Sequence, residues 1–282
     1  MNMDSVLSSV METASKTQSL PDDYIAPDGL KYCGKCHTPK EAFFPEGSHF
    51  GSSDRYPILC KCAAEKEAQH KVQQQETERM ERISQLRSEA FKDIPALNWR
   101  FENAAVMTPQ LSKVKSYADK WGAFINDGIG LLLFGDVGTG KSYAAGCIAN
   151  ALIEKSVAVR FSAVSDIVNR MQGNFGVDRE DFMKQLMRPE LLILDDLGAE
   201  RSTSFGKECV FDVVNHRLLA GKPMIVSTNI TLSAMKAATT LDDRRIYDRI
   251  LEVCIPVQFK GQNFREVNRK ANMQKAIEVL GG

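Results

Sequence analysis

Two short stretches of the sequence carry residues whose types and spacing suit chemistry on a phosphate. The first, GDVGTGKS from Gly135 to Ser142, follows the apolar run LLLF and precedes a segment with the pattern of an amphipathic helix. In that context G-x-x-x-x-G-K-S is specific for phosphate, because the glycines let backbone amides turn inward and the helix N-terminus adds positive partial charge. We expect Lys141 to reach the β and γ phosphates of a nucleotide and Ser142 to bind Mg²⁺.

The second stretch, LLILDDLGAE from Leu191 to Glu200, ends an apolar run in two adjacent carboxylates. Adjacent acids repel each other, so they indicate a cation, and a strand ending in acids is the usual companion of a phosphate loop. We expect Asp195 to hold Mg²⁺ through water and Asp196 to orient and deprotonate the attacking water. Neighbouring side chains on a strand point to opposite faces, so the two acids are expected to have different roles.

Two further stretches carry groups suited to the γ phosphate. MIVSTN is a predicted strand that ends at Asn229, whose amide can both donate and accept between the γ phosphate and the lytic water. An ordinary exit from a strand into a turn is the alternative. LDDRRIYDRILEV, residues 241–253, carries Arg245 and Arg249 among acids. It is either a helix face laced by ion pairs or the donor of an arginine to a neighbouring subunit's γ phosphate.

Four of the seven cysteines form a C-x2-C pair and a C-x-C pair, separated by 23 residues, at Cys33, Cys36, Cys60 and Cys62. Four thiolates bind zinc in a closed tetrahedral site that leaves no position open for catalysis. The surrounding segment has too few apolar residues to build a core unaided, so zinc is expected to fold it. A site that uses His37 or His49 in place of one cysteine, and thiols without a metal, are the alternatives.

The elements that must position these residues alternate along the second half of the chain. The predicted strands are LLLFG, VAVRFS, LLILDD and PMIVST, and the predicted helices are KSYAAGCIANALIEK, SDIVNRM and GKECVFDVVNHRLLAG. Strands separated by helices predict an α/β fold with a parallel sheet covered on both faces. Ser165 and Asp166 are predicted to cap the second helix and Gly221 to close the third. After Leu251 the sequence allows one strand and one helix.

The chain divides by composition into four predicted segments. They are a flexible N-terminus at 1–28, a zinc-binding module at 29–62, a spacer helix at 63–94 and the α/β domain at 95–282. The spacer is rich in strong helix formers and mixed charges. Ile83, Leu86 and Ala90 recur at spacings of three and four, so the second half of this helix is expected to dock on an apolar surface. A helix that binds a partner is the alternative to a plain spacer.

The composition excludes several classes of function. Thirty-six basic and 36 acidic residues cancel, so net charge points neither to nucleic acid nor to a membrane. No apolar run approaches the roughly 20 residues that cross a bilayer, and the first residues lack the pattern of a signal peptide, so a cytoplasmic protein is expected. An odd number of cysteines favours thiols over disulfides, and Cys147, Cys209 and Cys254 are expected to be core thiols.

The order of the motifs resembles that of one protein family. RFENA, GDVGTGKS, SDIVNRMQGNFG, LLILDDLG, IVSTN, RRIYDRI and NFR follow one another as in the DnaC-type replicative helicase loaders. These are AAA+ ATPases of the initiator clade, and the IstB-type transposition ATPases are closely similar to them. The resemblance covers roughly residues 95–270 and implies an AAA+ P-loop domain that binds ATP and Mg²⁺.

The resemblance also implies roles for individual residues. Arg249, in YDR, is similar to the family's arginine finger, with Arg245 in reserve, and Arg265, in NFR, to the residue that contacts the nucleotide from the lid side. The expected catalytic residues are Lys141, Asp195, Asp196, Asn229 and Arg249. The expected nucleotide-binding residues are Gly135, Asp136, Val137, Gly138, Thr139, Gly140, Lys141, Ser142, Tyr143 and Arg265.

The chain departs from the common AAA+ pattern at two places. Asp196 stands where most AAA+ proteins have Glu, as it does in several loaders, and its side chain is one methylene shorter. We therefore expect weak hydrolysis that a partner or DNA stimulates. The short sequence after Leu251 resembles the truncated lid of the loaders.

The segment near residues 165–188 corresponds, by the resemblance, to an additional helix of the family that is associated with single-stranded DNA. Its polar, basic and aromatic residues are Asn169, Arg170, Phe175, Arg179, Phe182 and Lys184. Basic and aromatic side chains in alternation suit a single strand, through phosphate pairing and base stacking. The alternative is that the two phenylalanines belong to the core.

These features lead to one principal hypothesis about function. The resemblance implies an ATP-dependent replication protein that grips a DnaB-type helicase through its N-terminal region and loads it onto single-stranded DNA. ATP-bound subunits would associate, so that Arg249 of one subunit completes the site of the next. An IstB-like transposition ATPase that binds DNA and recruits a transposase is the alternative, and a nucleotide-sensing adaptor without hydrolysis is the third hypothesis.

Overall fold

The computed structural model describes residues 20–45, 54–92, 98–173, 179–199 and 203–280. The chain forms two compact units, Met1–Met80 and Glu81–Gly282. No helix within the described part of the chain combines the length and apolarity needed to span a membrane.

The first unit is built from very short strands. It contains β1 (Tyr24–Ile25), β2 (Lys31–Tyr32), β3 (Glu41–Phe43), β4 (Arg55–Pro57) and the start of helix α1 (Lys61–Ala90). β1 pairs with β2 and β3 with β4, both antiparallel. Among residues 20–45 and 54–80, only Cys33, Lys40 and Cys60 are buried. This unit therefore lacks an aliphatic core in its described part.

A buried ion pair helps to order the first unit. Lys40 Nζ lies 2.7 Å from Asp23 Oδ2, and both side chains are nearly inaccessible to solvent. The same carboxylate accepts hydrogen bonds from the backbone N–H groups of Leu20 and Gly34. The hydrogen bond from Lys40, followed by that from Leu20, lowers the pKa of Asp23 to about 2, so this carboxylate is ionised at neutral pH.

Helix α1 changes character along its length. From Lys61 to Met80 no side chain is buried, whereas Ile83 and Ala90 are buried and Leu86 packs beside them in the core of the second unit. The prediction that the second half of this helix docks on an apolar surface is confirmed. The charged first half is held instead by side-chain pairs at helical spacing, such as that of Glu67 with Lys71.

The second unit alternates helices and strands, as predicted. Its elements are a 3-10 turn (Phe101–Asn103), α2 (Pro109–Asp119), α3 (Trp121–Ile125), β5 (Gly130–Gly135), α4 (Lys141–Ile153), β6 (Val159–Ala163), α5 (Val164–Gln172), α6 (Arg179–Met187), β7 (Leu191–Leu197), α7 (Ser204–Leu219), β8 (Met224–Thr228), α8 (Leu232–Lys236), α9 (Leu241–Val253), β9 (Cys254–Phe259) and α10 (Phe264–Leu280). The predicted C-terminal strand and helix are confirmed as β9 and α10.

The five strands of the second unit form one parallel sheet with the order β6-β7-β8-β5-β9. Successive strand residues face opposite sides, so Leu131 and Leu133 join one buried cluster while Leu132 and Phe134 join the other. Helices α2 to α4 cover the first face, and α5, α6, α7 and α9 the second. The prediction of an α/β fold with helices on both faces is confirmed.

One predicted helix cap is wrong. Ala163, the last residue of β6, occupies the N-cap of α5 and makes no side-chain cap hydrogen bond. Strand β6 runs directly into α5 at Val164, which places Ser165 and Asp166 inside the first turn. The predicted end of α7 is confirmed, since Gly221 adopts φ +61° one residue after the C-cap Ala220.

A buried arginine fixes the starts of β7 and β8. Arg217 of α7 is fully buried and donates to the backbone carbonyls of Pro189, Glu190 and Pro223 at 2.6–2.9 Å. Burial lowers its pKa to about 10. Because both strands are anchored at their amino ends, their carboxyl ends, which carry the acids and Asn229, are held side by side.

Candidate nucleotide site

The phosphate loop between β5 and α4 depends on glycine at three positions. Gly135, Gly138 and Gly140 have φ of +137°, +78° and +94°, a region that side chains with a Cβ rarely adopt. A Cβ at Gly138 would also lie 1.9 Å from Asn263 Oδ1. The carbonyl of Gly138 accepts a hydrogen bond from Phe264 N–H at 2.9 Å, so the start of α10 contacts the loop directly.

Lys141 lies at the centre of this loop, and its side chain is almost buried. Its Nζ donates to the carbonyls of Gly135 and Asp136, at 2.8 and 2.7 Å, and to Asn229 Oδ1 at 2.8 Å. Burial lowers the pKa of Lys141, while the negative charges of Asp196, Asp136 and Asp195 act in the opposite direction. None of these three hydrogen-bond partners is a carboxylate. The ammonium charge is therefore not neutralised by a direct ion pair and is suited to bind a phosphate.

Asp195 ends the regular part of β7 and is held by two hydroxyl groups. Ser227 Oγ donates to its Oδ1 at 2.5 Å, and the Ser142 hydroxyl is a second hydrogen-bond donor. Burial raises the pKa of Asp195 despite these two bonds. A half-buried carboxylate beside the loop serine is the oxygen donor set that Mg²⁺ prefers, so Ser142 and Asp195 fit this ion.

Asp196 does not point away from Asp195, as a regular strand would require. The pairing of β7 with β8 shifts register between Leu194 and Leu197, and Asp196 adopts φ +61°. Both aspartates therefore line the same cavity. Asn229 Nδ2 lies 3.3 Å from Asp196 Oδ1, so the Asn229 amide bridges Lys141 and Asp196.

These groups surround a cavity of about 510 Å³. Of the predicted residues, its lining includes Val137, Gly138, Thr139, Gly140, Lys141, Ser142, Tyr143, Asp195, Asp196, Asn229 and Arg265. Gly135 and Asp136 are not among the lining residues, but their carbonyls accept hydrogen bonds from Lys141. Two parts of the lining were not predicted. They are Ser227, two residues before Asn229 in the strand quoted above, and an apolar wall that includes Trp99, Val106 and Phe259.

Neither candidate arginine finger lines the cavity of its own chain. Arg249 donates to Glu252 Oε2 at 3.1 Å on the half-exposed face of α9. The guanidinium of Arg245 lies 4.1 Å from the centre of the Phe211 ring, a cation–π contact within the chain. Arg249 is therefore the less engaged of the two with the core of its own subunit.

The four predicted zinc ligands come together in the first unit. Their Sγ atoms all lie within 4.8 Å of one another. Cys33 Sγ is 3.7 Å and Cys60 Sγ 3.5 Å from Cys62 Sγ, close to the edge of about 3.8 Å that Zn–S bonds of 2.3 Å give a tetrahedron. His37 is absent from the cluster and pairs with the Tyr24 hydroxyl. His49 lies outside the described residues.

The cysteine sulfurs also have the electrostatics of a metal site. A hydrogen bond with the Thr38 hydroxyl lowers the pKa of Cys36 to about 5, whereas hydrogen bonding with Cys60 raises that of Cys62 to about 12. Four sulfurs this close cannot all be thiolates without a cation between them. Zn²⁺ is the ion that best fits four thiolates.

The predicted DNA segment is corrected at two positions. Phe182 is buried against the sheet and cannot stack on a base, because α6 turns it into the core together with Leu186. Arg179 is engaged within the chain, since its Nε donates to the Met171 carbonyl and its guanidinium lies over the Phe205 ring. Asn169, Arg170 and Lys184 are exposed, and Phe175 lies outside the described residues.

Comparison with known proteins gives consistent matches. A family model described as IstB-like ATP binding protein matches residues 54–272. The replicative helicase loader DnaI of Bacillus subtilis (strain 168) is 30% identical over 149 residues, which are 49% of this chain and 48% of DnaI. The replicative helicase loader DnaC of Escherichia coli (strain K12) is 28% identical over 156 residues, 54% of this chain and 61% of DnaC. The chain thus spans about half to three fifths of the length of these relatives.

Two solved structures share the fold. The crystal structure of DnaI superposes with a TM-score of 0.52 at 22% identity, covering 60% of this chain and 92% of that one. The crystal structure of the DnaC helicase loader gives 0.51 at 22% identity, covering 58% and 98%. The predicted AAA+ P-loop fold and the resemblance to the loaders are both confirmed. Because the family match spans most of the sequence, the chain belongs to the family of IstB-like ATP binding proteins.

Proposed function

We propose that this protein hydrolyses ATP and loads a DnaB-type replicative helicase onto single-stranded DNA. The observation that carries the ATPase part of the proposal is the connected set Lys141, Asn229, Asp196, Asp195 and Ser142 around one cavity. This set supplies a cation for phosphate oxygens, a pair of oxygen ligands for Mg²⁺ and a carboxylate for water. DnaI and DnaC, the two relatives compared above, are replicative helicase loaders, which supports a helicase as the partner.

Each side chain of the site has a distinct part in hydrolysis. The Lys141 ammonium exchanges its contacts with loop carbonyls for the β and γ phosphates. Ser142 and Asp195 would hold Mg²⁺, which would neutralise charge on the phosphate oxygens when bound. Asp196 accepts a proton from the attacking water, and Asn229, already bonded to Lys141 and Asp196, keeps that water beside the γ phosphate.

The site as formed by one subunit is incomplete for fast hydrolysis. Asp196 is shorter than the usual Glu, and neither Arg245 nor Arg249 lines the cavity of its own chain. We propose that Arg249 enters the site of a neighbouring subunit in an ATP-dependent oligomer, with Arg245 as the reserve. Arg265, which lines the cavity from the start of α10, contacts the nucleotide within the same chain. Hydrolysis is then slow until subunits assemble with partner or DNA.

We assign the first unit to helicase binding and the α5–α6 segment to DNA. Zn²⁺ held by the four cysteines gives the first unit a fixed shape, which suits a docking module. On the DNA side, Asn169 is exposed. Arg170, over the Phe182 ring, and Lys184, paired with Glu180, are also exposed and would exchange these contacts for a phosphate backbone. Because Phe182 is buried, the proposed DNA contact does not include base stacking on this residue.

The decisive experiment is co-purification with a DnaB-type helicase, with and without ATP, followed by a helicase-loading assay on single-stranded DNA. We expect ATP-dependent association and loading. The Asp196→Asn variant should keep ATP binding and lose hydrolysis, because the acid that accepts the proton is neutralised. Hydrolysis at the wild-type rate by this variant would remove Asp196 from its role.

The second candidate is an IstB-like transposition ATPase, which is consistent with membership in the family of IstB-like ATP binding proteins. Stable, ATP-dependent binding to duplex DNA, without any association with a helicase, would indicate this second function. The match begins at residue 54 and thus leaves out Cys33 and Cys36. A variant without the zinc site that still binds duplex DNA and a transposase would support this second candidate.

A further inference from the structure

Ser227 of β8 contacts both acidic residues of the nucleotide site at once. Its Oγ donates to Asp195 Oδ1 at 2.5 Å and accepts a hydrogen bond from the backbone N–H of Asp196 at 2.9 Å. Ser227 is 1% exposed, so bulk water has little access to either bond. One hydroxyl therefore links the carboxylate of one aspartate to the backbone of the next.

The position of Ser227 in the sheet explains why a hydroxyl is needed there. Up to Leu194 the strands pair in register, with Leu194 opposite Val226, and pairing resumes with Leu197 opposite Thr228. Two residues of β7, Asp195 and Asp196, therefore lie opposite Ser227 alone. This two-against-one arrangement is a β-bulge, in which the regular ladder of backbone hydrogen bonds is interrupted.

Hydroxyl groups of β8 replace the interrupted ladder on both sides of the bulge. Ser227 Oγ accepts a hydrogen bond from the backbone N–H of Asp196, and Thr228 Oγ1 donates to the carbonyl of Leu197 at 2.7 Å. Between these two bonds Asp196 adopts its left-handed φ of +61°, a conformation that must be held by its surroundings. The bulge is what brings both aspartates to one cavity, since a regular strand would separate them.

We propose that Ser227 is a positioning residue for ATP hydrolysis. Its hydroxyl holds the bulge so that Asp195 faces Mg²⁺ while Asp196 faces the attacking water. Ser227 need not touch the nucleotide to act, because it works through the two aspartates. This inference rests on the proposed ATPase function and adds to it the group that fixes the geometry of the acids.

The test begins with Ser227→Ala in the full-length protein, assayed with helicase and single-stranded DNA. We expect kcat to fall by about 10- to 100-fold, as is usual when a catalytic group shifts by about an ångström. Affinity for ADP without Mg²⁺ should stay within about threefold of wild type, because the contacts of Lys141 and the phosphate loop are unchanged. Ser227→Thr keeps the hydroxyl and should restore most of the rate.

The matched control is Ser162→Ala, which removes another buried serine hydroxyl from the same sheet. Ser162 is 3% exposed and bonds to the side chain of Arg160, outside the cavity. We expect this variant to keep the wild-type kcat. If Ser227→Ala does not fold, Ser227→Cys carries the same test, because it fills the site with a slightly larger thiol that donates and accepts only weakly.

A second measurement separates this inference from the proposed function. Binding of a non-hydrolysable ATP analogue is titrated with Mg²⁺, and Ser227→Ala should show a smaller gain in affinity from Mg²⁺ than wild type or Ser162→Ala. Absence of ATPase activity in the wild-type protein would count against the proposed function, and the Mg²⁺ titration would still decide the role of Ser227. An unchanged kcat together with an unchanged gain from Mg²⁺ would overturn the inference.

Discussion

The cysteine cluster of the first unit and the nucleotide site of the second are both built around charged or ionisable ligands, but they depend on their surroundings in opposite ways. Around Cys33 and Cys60 no aliphatic side chain of the first unit's described residues is buried, so the ligands themselves hold the fold. The acids of the nucleotide site end strands that are packed on both faces. The hydrophobic core of the second unit is therefore complete without a bound nucleotide.

This difference has a practical meaning. A site that makes its own fold can be located from ligand spacing, but it is lost as a whole when one ligand is removed. A site placed on a finished fold can lose one group and keep its structure. The following predictions test this contrast, from the largest expected effect to the smallest.

Removal of one zinc ligand should have the largest effect. Cys60→Ser, or treatment with a chelator, should abolish zinc binding and unfold residues 20–45 and 54–60, because structural zinc contributes about 10 kcal/mol or more to such modules. Metal analysis and hydrogen exchange of these residues provide the measurement. The control is Cys209→Ser, which replaces a buried thiol of the second unit. This variant should still bind zinc at the four cysteines of the first unit. Wild-type protein that contains no zinc would refute the site.

Arg249→Ala should have the next largest effect, and only in the assembled protein. We expect kcat in the presence of helicase and DNA to fall by about 1,000-fold, the usual contribution of an arginine finger, with little change in ATP affinity. Arg245→Ala is the comparison, since Arg245 already contacts Phe211 in its own chain. A large loss of kcat in Arg245→Ala and not in Arg249→Ala would reverse the assignment.

Lys141→Ala should weaken ATP binding by about 100-fold, because charge-assisted hydrogen bonds to the phosphates are lost. The fold should survive, in contrast to that of the zinc variant. Lys155→Ala is the matched control, since the Lys155 ammonium also donates to two backbone carbonyls, at 2.7 and 3.2 Å, but lies outside the cavity. Fluorescence titration with a labelled ATP analogue measures both affinities. Equal affinities would contradict the role of Lys141.

The smallest effect concerns an ion-pair cluster within the second unit, between the second half of α1 and Glu154. Burial alone would raise the pKa of Glu154, but hydrogen bonds from Arg87 and Arg100 outweigh it and lower the pKa below the usual 4.5. The stabilisation is therefore present above about pH 4.5 and is lost as the pH falls through the folded-state pKa. Because the Glu154 side chain is 39% exposed, we expect Glu154→Gln to cost only about 0.5 kcal/mol at pH 7.

Urea unfolding followed by tryptophan fluorescence measures this effect, because both tryptophans, Trp99 and Trp121, lie in the second unit. The difference between wild type and Glu154→Gln should shrink as the pH falls below 4.5. Asp119→Asn, which breaks the exposed pair with Lys115, is the control and should show a smaller difference at every pH. A difference that does not change with pH would rule out the ion pairs as its source.

The site residues that the sequence predicts share one property. Each lies in a short motif, in which the order of residues along the chain determines which residues lie beside it. The phosphate loop, Asp195, Asn229 and the four cysteines belong to motifs whose spacing along the chain determines their geometry. The bulge at Asp196 and the role of Ser227 could not be read in this way. Both depend on how β7 pairs with β8, two strands about 30 residues apart, and a motif carries no information about register.

Two of the three corrections, the helix cap and Phe182, have equally local causes. Ser165 and Asp166 are good capping residues, but β6 enters α5 without a linker, so the cap falls two residues earlier than their types suggest. Phe182 looked like a base-stacking residue beside basic side chains. Its neighbour Leu186, four residues later and also buried, carried the signal of a core-facing stripe on α6.

The carbonyl of Gly138 points at the N–H of Phe264, the first residue of α10. A trans peptide is planar, with its C=O and N–H directed oppositely, so the N–H of Thr139 must point away from α10. The C-terminal helix thus sets the tilt of one peptide plane in the phosphate loop. A movement of α10 rotates that plane and redirects an amide donor, so a substitution at Phe264 can alter phosphate affinity through the backbone alone.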